Sequence, residues 1–265
     1  MKRKLLSLSA LTGALICSST KAGVTADSVT TYIPGIIRSD YRTSSAALGG
    51  LSSDAGFGSI VTPFNPAFST TDIVGLQGDG GLLTLHLSAP ITIAPGAALG
   101  VHAGTGLAGD FNGPIVQNQN PAADFNSRIS TLKVSFDGTT FVTVAADHTF
   151  TNPSNFYDQG ITDPGFPTSP GTHAADQFKP FFNVDDAHPL ARFDGKDWTG
   201  TLAALNGSAG GDWFDLSGVN LPAINFVQFD TAGTQTMYVD AVVGVPEPGS
   251  LSLLGLSLLL LRRRR

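Results

Sequence analysis

The five histidines are the side chains best suited to acid–base chemistry or metal binding, but they are scattered along the chain. They are His86, His102, His148, His173 and His188. None stands in an HExxH or HxH spacing, the patterns that bring two imidazoles to one metal ion. The spacing therefore predicts surface and loop histidines rather than a histidine metal site.

His188 has the most suggestive neighbours, because it follows Asp185 and Asp186 in VDDAH. This stretch could hold a cation or an acid–base pair, and a solvated Asp-rich loop is the alternative. Ser-His-Asp catalysis is not indicated, since the chain has no GxSxG elbow. A glycosidase needs two placed carboxylates, and no pair stands out among so many aspartates. We therefore expect a protein that is not an enzyme.

Several turn aspartates are candidate ligands for Ca²⁺, which prefers carboxylate and carbonyl oxygens. Asp110 lies in DFNG, and Asp194 and Asp197 lie in FDGKDW. Neither stretch matches an EF-hand loop, and Asp is also the ordinary turn residue of a β-rich chain. Ca²⁺ is thus the one cofactor that the sequence suggests, with its position left open.

Two tryptophans are candidates for glycan contact. Trp198 and Trp213 lie close together in sequence around the Gly-rich GSAGGDW, and an exposed indole can stack on the apolar face of a sugar. The alternative is that both rings belong to the core. The 17 Phe against four Tyr favour a packed interior over a sugar platform.

Period-2 alternation indicates the strands that would position such residues. Residues 80–93 alternate Leu83, Leu85 and Leu87 with Thr84, His86 and Ser88. We expect the three leucines to face the core and the polar residues to face solvent. Three more short strands are predicted in WFDLSGV, INFVQFD and MYVDAVV.

Residues 129–147 give the strongest local pattern, that of a β-hairpin. Leu132, Val134 and Phe136 alternate, Asp137-Gly138 is a turn dipeptide, and an apolar return segment follows. We expect Phe136 to point inward with Leu132 and Val134. Residues 149–198 mix Asp, Pro, Gly, Asn and Phe without a period, which predicts one or two long insertions with few apolar anchors.

The C-terminal residues VPEPGSLSLLGLSLLLLRRRR resemble a sorting tag. As a helix, residues 251–261 would reach roughly 17 Å, against a hydrocarbon core of about 30 Å, so the apolar run is short for a span. The prolines hold Glu247 in extended backbone, where a protease could recognise it. The basic cluster that follows the apolar run marks a cytoplasmic side.

This arrangement is similar to the PEP-CTERM sorting signal of Gram-negative bacteria, which a membrane-embedded exosortase cleaves. The motif residues are Pro246, Glu247 and Pro248, and the basic tail is Arg262, Arg263, Arg264 and Arg265. The resemblance implies a transmembrane helix in residues 245–265 and transient anchoring in the inner membrane before release. An ordinary C-terminal anchor is the alternative.

The N-terminus has the pattern of a secretory signal peptide over residues 1–22. Residues 2–4 are basic, residues 5–16 are apolar, and residues 20–22 make a passable cleavage site. The only cysteine, Cys17, lies inside this segment, and Ile16 before it disfavours a lipoprotein. We expect export through the Sec translocon, removal by signal peptidase, and a mature chain without disulfides.

Removal of both tags would leave a strongly acidic chain. Eight of the 15 Lys and Arg lie in the tags, so seven remain against 21 Asp and Glu, a net charge of about −14 over residues 24–261. This charge argues against a nucleic-acid partner. The single Glu, the many Asp, 31 Gly and 16 Pro favour strands joined by turns over helices.

The order of the LTLHLSAPI strand, the VSFDGTTFVTV hairpin and the closing strands resembles a galactose-binding-like jelly roll. The resemblance covers about residues 76–243 and implies an all-β sandwich with long loops, placed here in residues 23–244, between an N-terminal signal helix and a short C-terminal hydrophobic helix. It also implies a binding or structural module of the cell envelope or extracellular matrix, associated with exopolysaccharide. A purely structural surface protein and a polysaccharide-active enzyme are the alternatives.

Overall fold

The structure, a computed structural model, describes residues 23–107, 128–162, 167–180, 189–193 and 195–245. Over these ranges the chain is mostly β, with one large antiparallel sheet that nearly closes into a barrel-like sheet and one short helix. The strands are β1 Val24–Ile33, β2 Asp54–Gly56, β3 Ser59–Ile60, β4 Val74–Gln77, β5 Gly81–Thr92, β6 Ala98–Ala103, β7 Arg128–Ser135, β8 Phe141–Phe150, β9 Tyr157–Gln159, β10 His173–Ala174, β11 Asp212–Asp215, β12 Ala223–Thr231 and β13 Thr236–Val245. Helix α1 spans Trp198–Leu205, and 3-10 helices span Ser39–Tyr41, Ser44–Ala47 and Pro189–Phe193.

The large sheet has the strand order β11-β6-β13-β1-β5-β12-β7-β8, with β4 paired to the first part of β13. Two small hairpins, β2–β3 and β9–β10, lie outside it. Strand β1 turns the sheet back on itself, because Val24 and Thr25 pair with β13 whereas Ala26 to Ile33 pair with β5. The apolar faces of the two halves thereby enclose one main core.

Strand β5 confirms the predicted inward face and corrects the outward one at a single position, Thr84, while Ser88 is exposed as predicted. Leu83, Leu85 and Leu87 are buried, as the alternation predicts. Thr84, predicted to face solvent, is also buried. Because β5 lies between β1 and β12, side chains from both neighbours cover it: Gln228 Nε2 donates to Thr84 Oγ1 at 2.9 Å, and Thr30 Oγ1 donates to the Thr84 carbonyl at 3.2 Å.

The β7–β8 hairpin forms where the sequence predicts it, but one of its inward residues is assigned wrongly. Leu132 and Val134 are buried, whereas Phe136 is 46% exposed. The reason is that β7 ends at Ser135, so Phe136 belongs to the turn. Asp137 fixes that turn by accepting the N–H groups of Thr139 and Thr140, each at 2.8 Å, and these bonds hold the pKa of its carboxyl below the usual range.

The long segment between β8 and β11 has apolar anchors of its own, contrary to the expectation from its composition. It carries β9, β10 and α1, and it contributes to a second small core. That core consists of Phe64, Leu107, Ile161, Phe193, Trp198 and Leu205. No helix in the described part of the chain is long and apolar enough to cross a membrane. The expected signal helix and C-terminal hydrophobic helix lie outside the described residues.

Candidate functional site

A cavity of about 490 Å³ opens where β4, β7 and β13 meet the loop after β1. Its volume lies within the range of small-molecule sites. Its functional groups come from distant parts of the chain. They are Arg38, Tyr41, Phe68, Gln77, Arg128 and Tyr238. The sheet pairing brings these residues together, because Tyr238 of β13 lies opposite Gly75 of β4.

Glycine at position 75 is required by this packing. A Cβ placed there would lie 2.7 Å from Ile37 Cγ1, closer than side chains tolerate, and would make a tight contact of 3.1 Å with Tyr238 Cε1. Tyr238 therefore packs directly against the backbone of β4. Tyr41 meets its ring edge-on at a centroid distance of 4.9 Å, and Tyr41 Oη donates to the Phe68 carbonyl at 3.1 Å. The aromatic wall of the cavity is fixed by these contacts.

Arg128, the first residue of β7, supplies the positive charge of the cavity and is only 8% exposed. Its guanidinium lies 4.3 Å from the centre of the Tyr238 ring, and Nη2 donates to the Gly104 carbonyl at 3.3 Å. Nε has no hydrogen-bond partner among the described residues. Burial lowers the pKa of Arg128 to about 10, so the side chain remains charged at neutral pH.

The cavity is positively charged in an otherwise acidic protein. Two of the seven Lys and Arg of residues 24–261 line it, Arg128 at its wall and Arg38 at its exposed rim. Arg38 has its own counter-charge, since Nη2 lies 2.9 Å from Oδ2 of Asp40. No such ion pair to Arg128 is formed within the described ranges. A guanidinium buried at a cavity wall is a suitable partner for an anionic ligand, because charge-assisted hydrogen bonds to it are strong.

An exposed aromatic ring stands next to the cavity. Phe57 is at the tip of the β2–β3 hairpin and is 98% exposed, with a φ of 55° that non-glycine residues rarely adopt. Its ring centroid lies 6.0 Å from that of Phe68, which lines the cavity. The pair extends an apolar surface outward from the charged pocket.

Trp198 and Trp213, the predicted glycan contacts, are both buried. Trp198 Nε1 donates to the Ile161 carbonyl at 3.2 Å, and Trp213 Nε1 donates to the Gly210 carbonyl at 2.9 Å. Their polar atoms are thus satisfied inside the protein, and neither ring offers a free face for stacking. The structure supports the alternative interpretation, in which both are core residues.

Among the predicted metal ligands, Asp197 has a structural task. It is the N-cap of α1, and its Oδ1 accepts the Gly200 N–H at 2.7 Å. Asp110 and Asp194 lie outside the described residues. Within the described ranges, no group of three or more His, Cys, Asp or Glu side chains is placed to hold a metal ion.

We expect Asp197→Ala to lower the free energy of unfolding by about 1 kcal/mol, because α1 loses its cap, and Asp197→Ser to retain most of it. Urea denaturation of both variants, in chelator and in millimolar Ca²⁺, measures this. A Ca²⁺-dependent stabilisation present in the natural chain and lost in Asp197→Ser would instead make Asp197 a calcium ligand.

Of the four described histidines, two form surface pairs and one is fully buried. The fourth, His148, is half-buried, with Nε2 3.5 Å from Oδ1 of the buried Asp212. His86 and His173 form pairs with Asp27 and Asp158 at the surface, with Nδ1–Oδ1 distances of 2.8 and 2.6 Å. His102 is fully buried in β6, which the scattered spacing did not indicate. His188, with Asp185 and Asp186, lies outside the described residues.

The sorting motif and the basic tail also lie outside the described residues. They are Pro246, Glu247, Pro248, Arg262, Arg263, Arg264 and Arg265. Reasoning from the sequence missed Arg128 and Phe57. The available signals were the scarcity of cations between the tags and a large apolar residue between two glycines in GFG. No protein-family model matches the chain, and no curated protein matches it.

Proposed function

We propose that the chain is an exported protein that an exosortase processes and that acts as a binding module beside exopolysaccharide. It would cross the inner membrane through the Sec translocon, lose its signal peptide to signal peptidase, and stay anchored until cleavage near Glu247. Its destination would be the cell envelope or the extracellular matrix of a Gram-negative bacterium. The observation that carries the proposal is the pair of terminal tags, with the large sheet beginning at Val24 and ending at Val245, between them.

The arrangement of the strand ends fits this route. Val24 of β1 pairs with Gly244 of β13, so the beginning and the end of the described sheet lie side by side. Cleavage on both sides would leave this pairing intact. The cavity lies near Tyr238, seven residues before Val245, or roughly 20 Å along an extended strand. A domain held at residue 245 would therefore present the cavity away from its attachment.

We also propose that the sheet is a jelly-roll sandwich of the galactose-binding-like type. What supports it is β1, which pairs first with β13 and then with β5, so that two sheet halves face one another across the main core. The cavity lies at the start of β13, at one end of the sheet. The assignment of function rests on the site and the tags, since a fold alone does not specify an activity.

Removal of both terminal tags would change the mass of the mature protein in a way that can be measured. In an exosortase-positive Gram-negative host, the mature protein is expected to lack residues 1–22 and Arg262 to Arg265, and intact-mass spectrometry of the envelope and secreted fractions measures this. Replacing Pro246, Glu247 and Pro248 with alanine should leave the C-terminal tail in place and keep the protein in the membrane fraction. A natural chain that retains its arginines in such a host would contradict processing.

Two alternative functions can be distinguished from a binding module by experiment. A purely structural surface protein would bind no glycan on an array, and a polysaccharide-active enzyme would degrade the organism's own polysaccharide. The charged cavity favours binding over the first alternative. Calcium could add stability to the module without any part in recognition, and its effect should exceed that of Mg²⁺ at matched ionic strength.

A further inference from the structure

We propose that the cavity binds an acidic sugar, with its carboxylate at Arg128 and its ring against the aromatic pair Phe57 and Phe68. The choice of a saccharide as the carrier of the charge rests on the proposed function. The anionic character of the ligand rests on the cavity alone.

The charge of Arg128 indicates an anionic ligand. The guanidinium is held at the wall of a cavity by the Tyr238 ring and the Gly104 carbonyl, neither of which is an anion. A ligand carboxylate would neutralise this charge and accept from the guanidinium at the cavity wall, and carboxylates match the planar guanidinium well.

The aromatic pair is the second argument, and it explains why a sugar suits the site better than a bare anion. Phe57 is almost fully exposed and held in a left-handed conformation, a costly way to place an apolar ring in water. Its neighbour Phe68 lines the cavity that contains Arg128. A ligand with an apolar ring face and one carboxylate would use both features at once.

Glucuronate and glucose are the matched probes, because they differ only in a carboxylate against a hydroxymethyl group. We expect the exported, processed protein to bind glucuronate at least tenfold more tightly than glucose in calorimetric titrations, and inorganic sulfate more weakly than glucuronate. Added salt should weaken glucuronate binding more than glucose binding, since only the former depends on charge.

Two variants separate the roles of the residues. Arg128→Met should abolish the preference for glucuronate over glucose. Because it removes a buried charge that no carboxylate of the described residues pairs with, it should not lower the melting temperature. Phe57→Asn, which suits the positive φ, should weaken glucuronate binding about tenfold but leave sulfate binding unchanged. Lys133→Met, which removes a cation that pairs with Asp230 outside the cavity lining, is the control and should change glucuronate affinity less than threefold.

The outcomes distinguish this proposal from the proposed function. Glucose bound as tightly as glucuronate would overturn the acidic-sugar ligand while leaving a glycan-binding module intact. Sulfate bound as tightly as glucuronate would overturn the role of the sugar ring. Binding of neither sugar nor sulfate would overturn the site, whereas tag cleavage would still test the export route independently. If Arg128→Met unfolds the protein, Arg128 has a structural role. In that case Phe57→Asn tests the sugar site, because unchanged glucuronate binding in this variant would overturn the site.

Discussion

An aspartate in place of Leu85 is expected to unfold the domain, whereas an aspartate in place of Phe136 leaves it folded. Leu85 is fully buried at the centre of the sheet, where β5 pairs with Val29 of β1 and Val227 of β12. Truncating a buried leucine costs about 2–5 kcal/mol, and an unpaired buried carboxylate adds several more. The sum is comparable with the whole stability of a typical domain, about 5–15 kcal/mol.

Phe136 provides the matched control, because the same substitution falls in the exposed turn after β7. The Asn225 Nδ2–H donates to the carbonyl of Phe136, at 2.7 Å, and that bond does not depend on the side chain. Circular dichroism melts of the two variants measure the difference. Equal melting temperatures would mean that the register of β5 or the end of β7 is wrong.

Acid is expected to destabilise the domain through His102. The ring is buried in β6, with Nδ1 3.3 Å from Ser154 Oγ, and a Cβ at Gly211 would come within 2.9 Å of Nδ1. Its Nε2 has no hydrogen-bond partner in the described part of the chain. Burial lowers the pKa of His102 from 6.5 to about 4, because the interior disfavours the imidazolium.

The sign follows from proton binding. Between pH 6.5 and about 4 the unfolded chain protonates this histidine and the folded chain does not, so stability is fully present above pH 6.5 and falls as the pH drops. The difference between the two pKa values corresponds to roughly 3 kcal/mol once the pH is below both. Two buried carboxyls act in the opposite direction, since burial raises the pKa of Asp212 and Asp240.

Comparison with His102→Gln isolates the histidine from these carboxyls. Urea denaturation between pH 7 and pH 4 should show a smaller loss of stability in His102→Gln than in the natural chain. His86→Gln, at an exposed pair with Asp27, is the control and should keep most of the loss. Parallel pH profiles for the natural chain and His102→Gln would contradict a buried neutral imidazole.

The sequence alone determined the features that depend on near neighbours. The inward positions Leu83, Leu85, Leu87, Leu132 and Val134 were predicted correctly, because a strand alternates its faces whatever it pairs with. The β7–β8 hairpin was confirmed as well, since Asp137-Gly138 suits a tight turn on its own. The terminal tags are also read from contiguous residues.

Only the tertiary structure decided which side chains meet. Burial of Thr84 depends on the strands on both sides of β5, and exposure of Phe136 depends on where the ladder to β12 stops, at Ser135. The cavity joins Arg38, Arg128 and Tyr238, which are up to 200 residues apart in the chain. Local patterns determine which face of a strand a residue takes. The pairing of distant strands determines which side chains surround it, and this pairing places the charged Arg128 at the wall of a cavity.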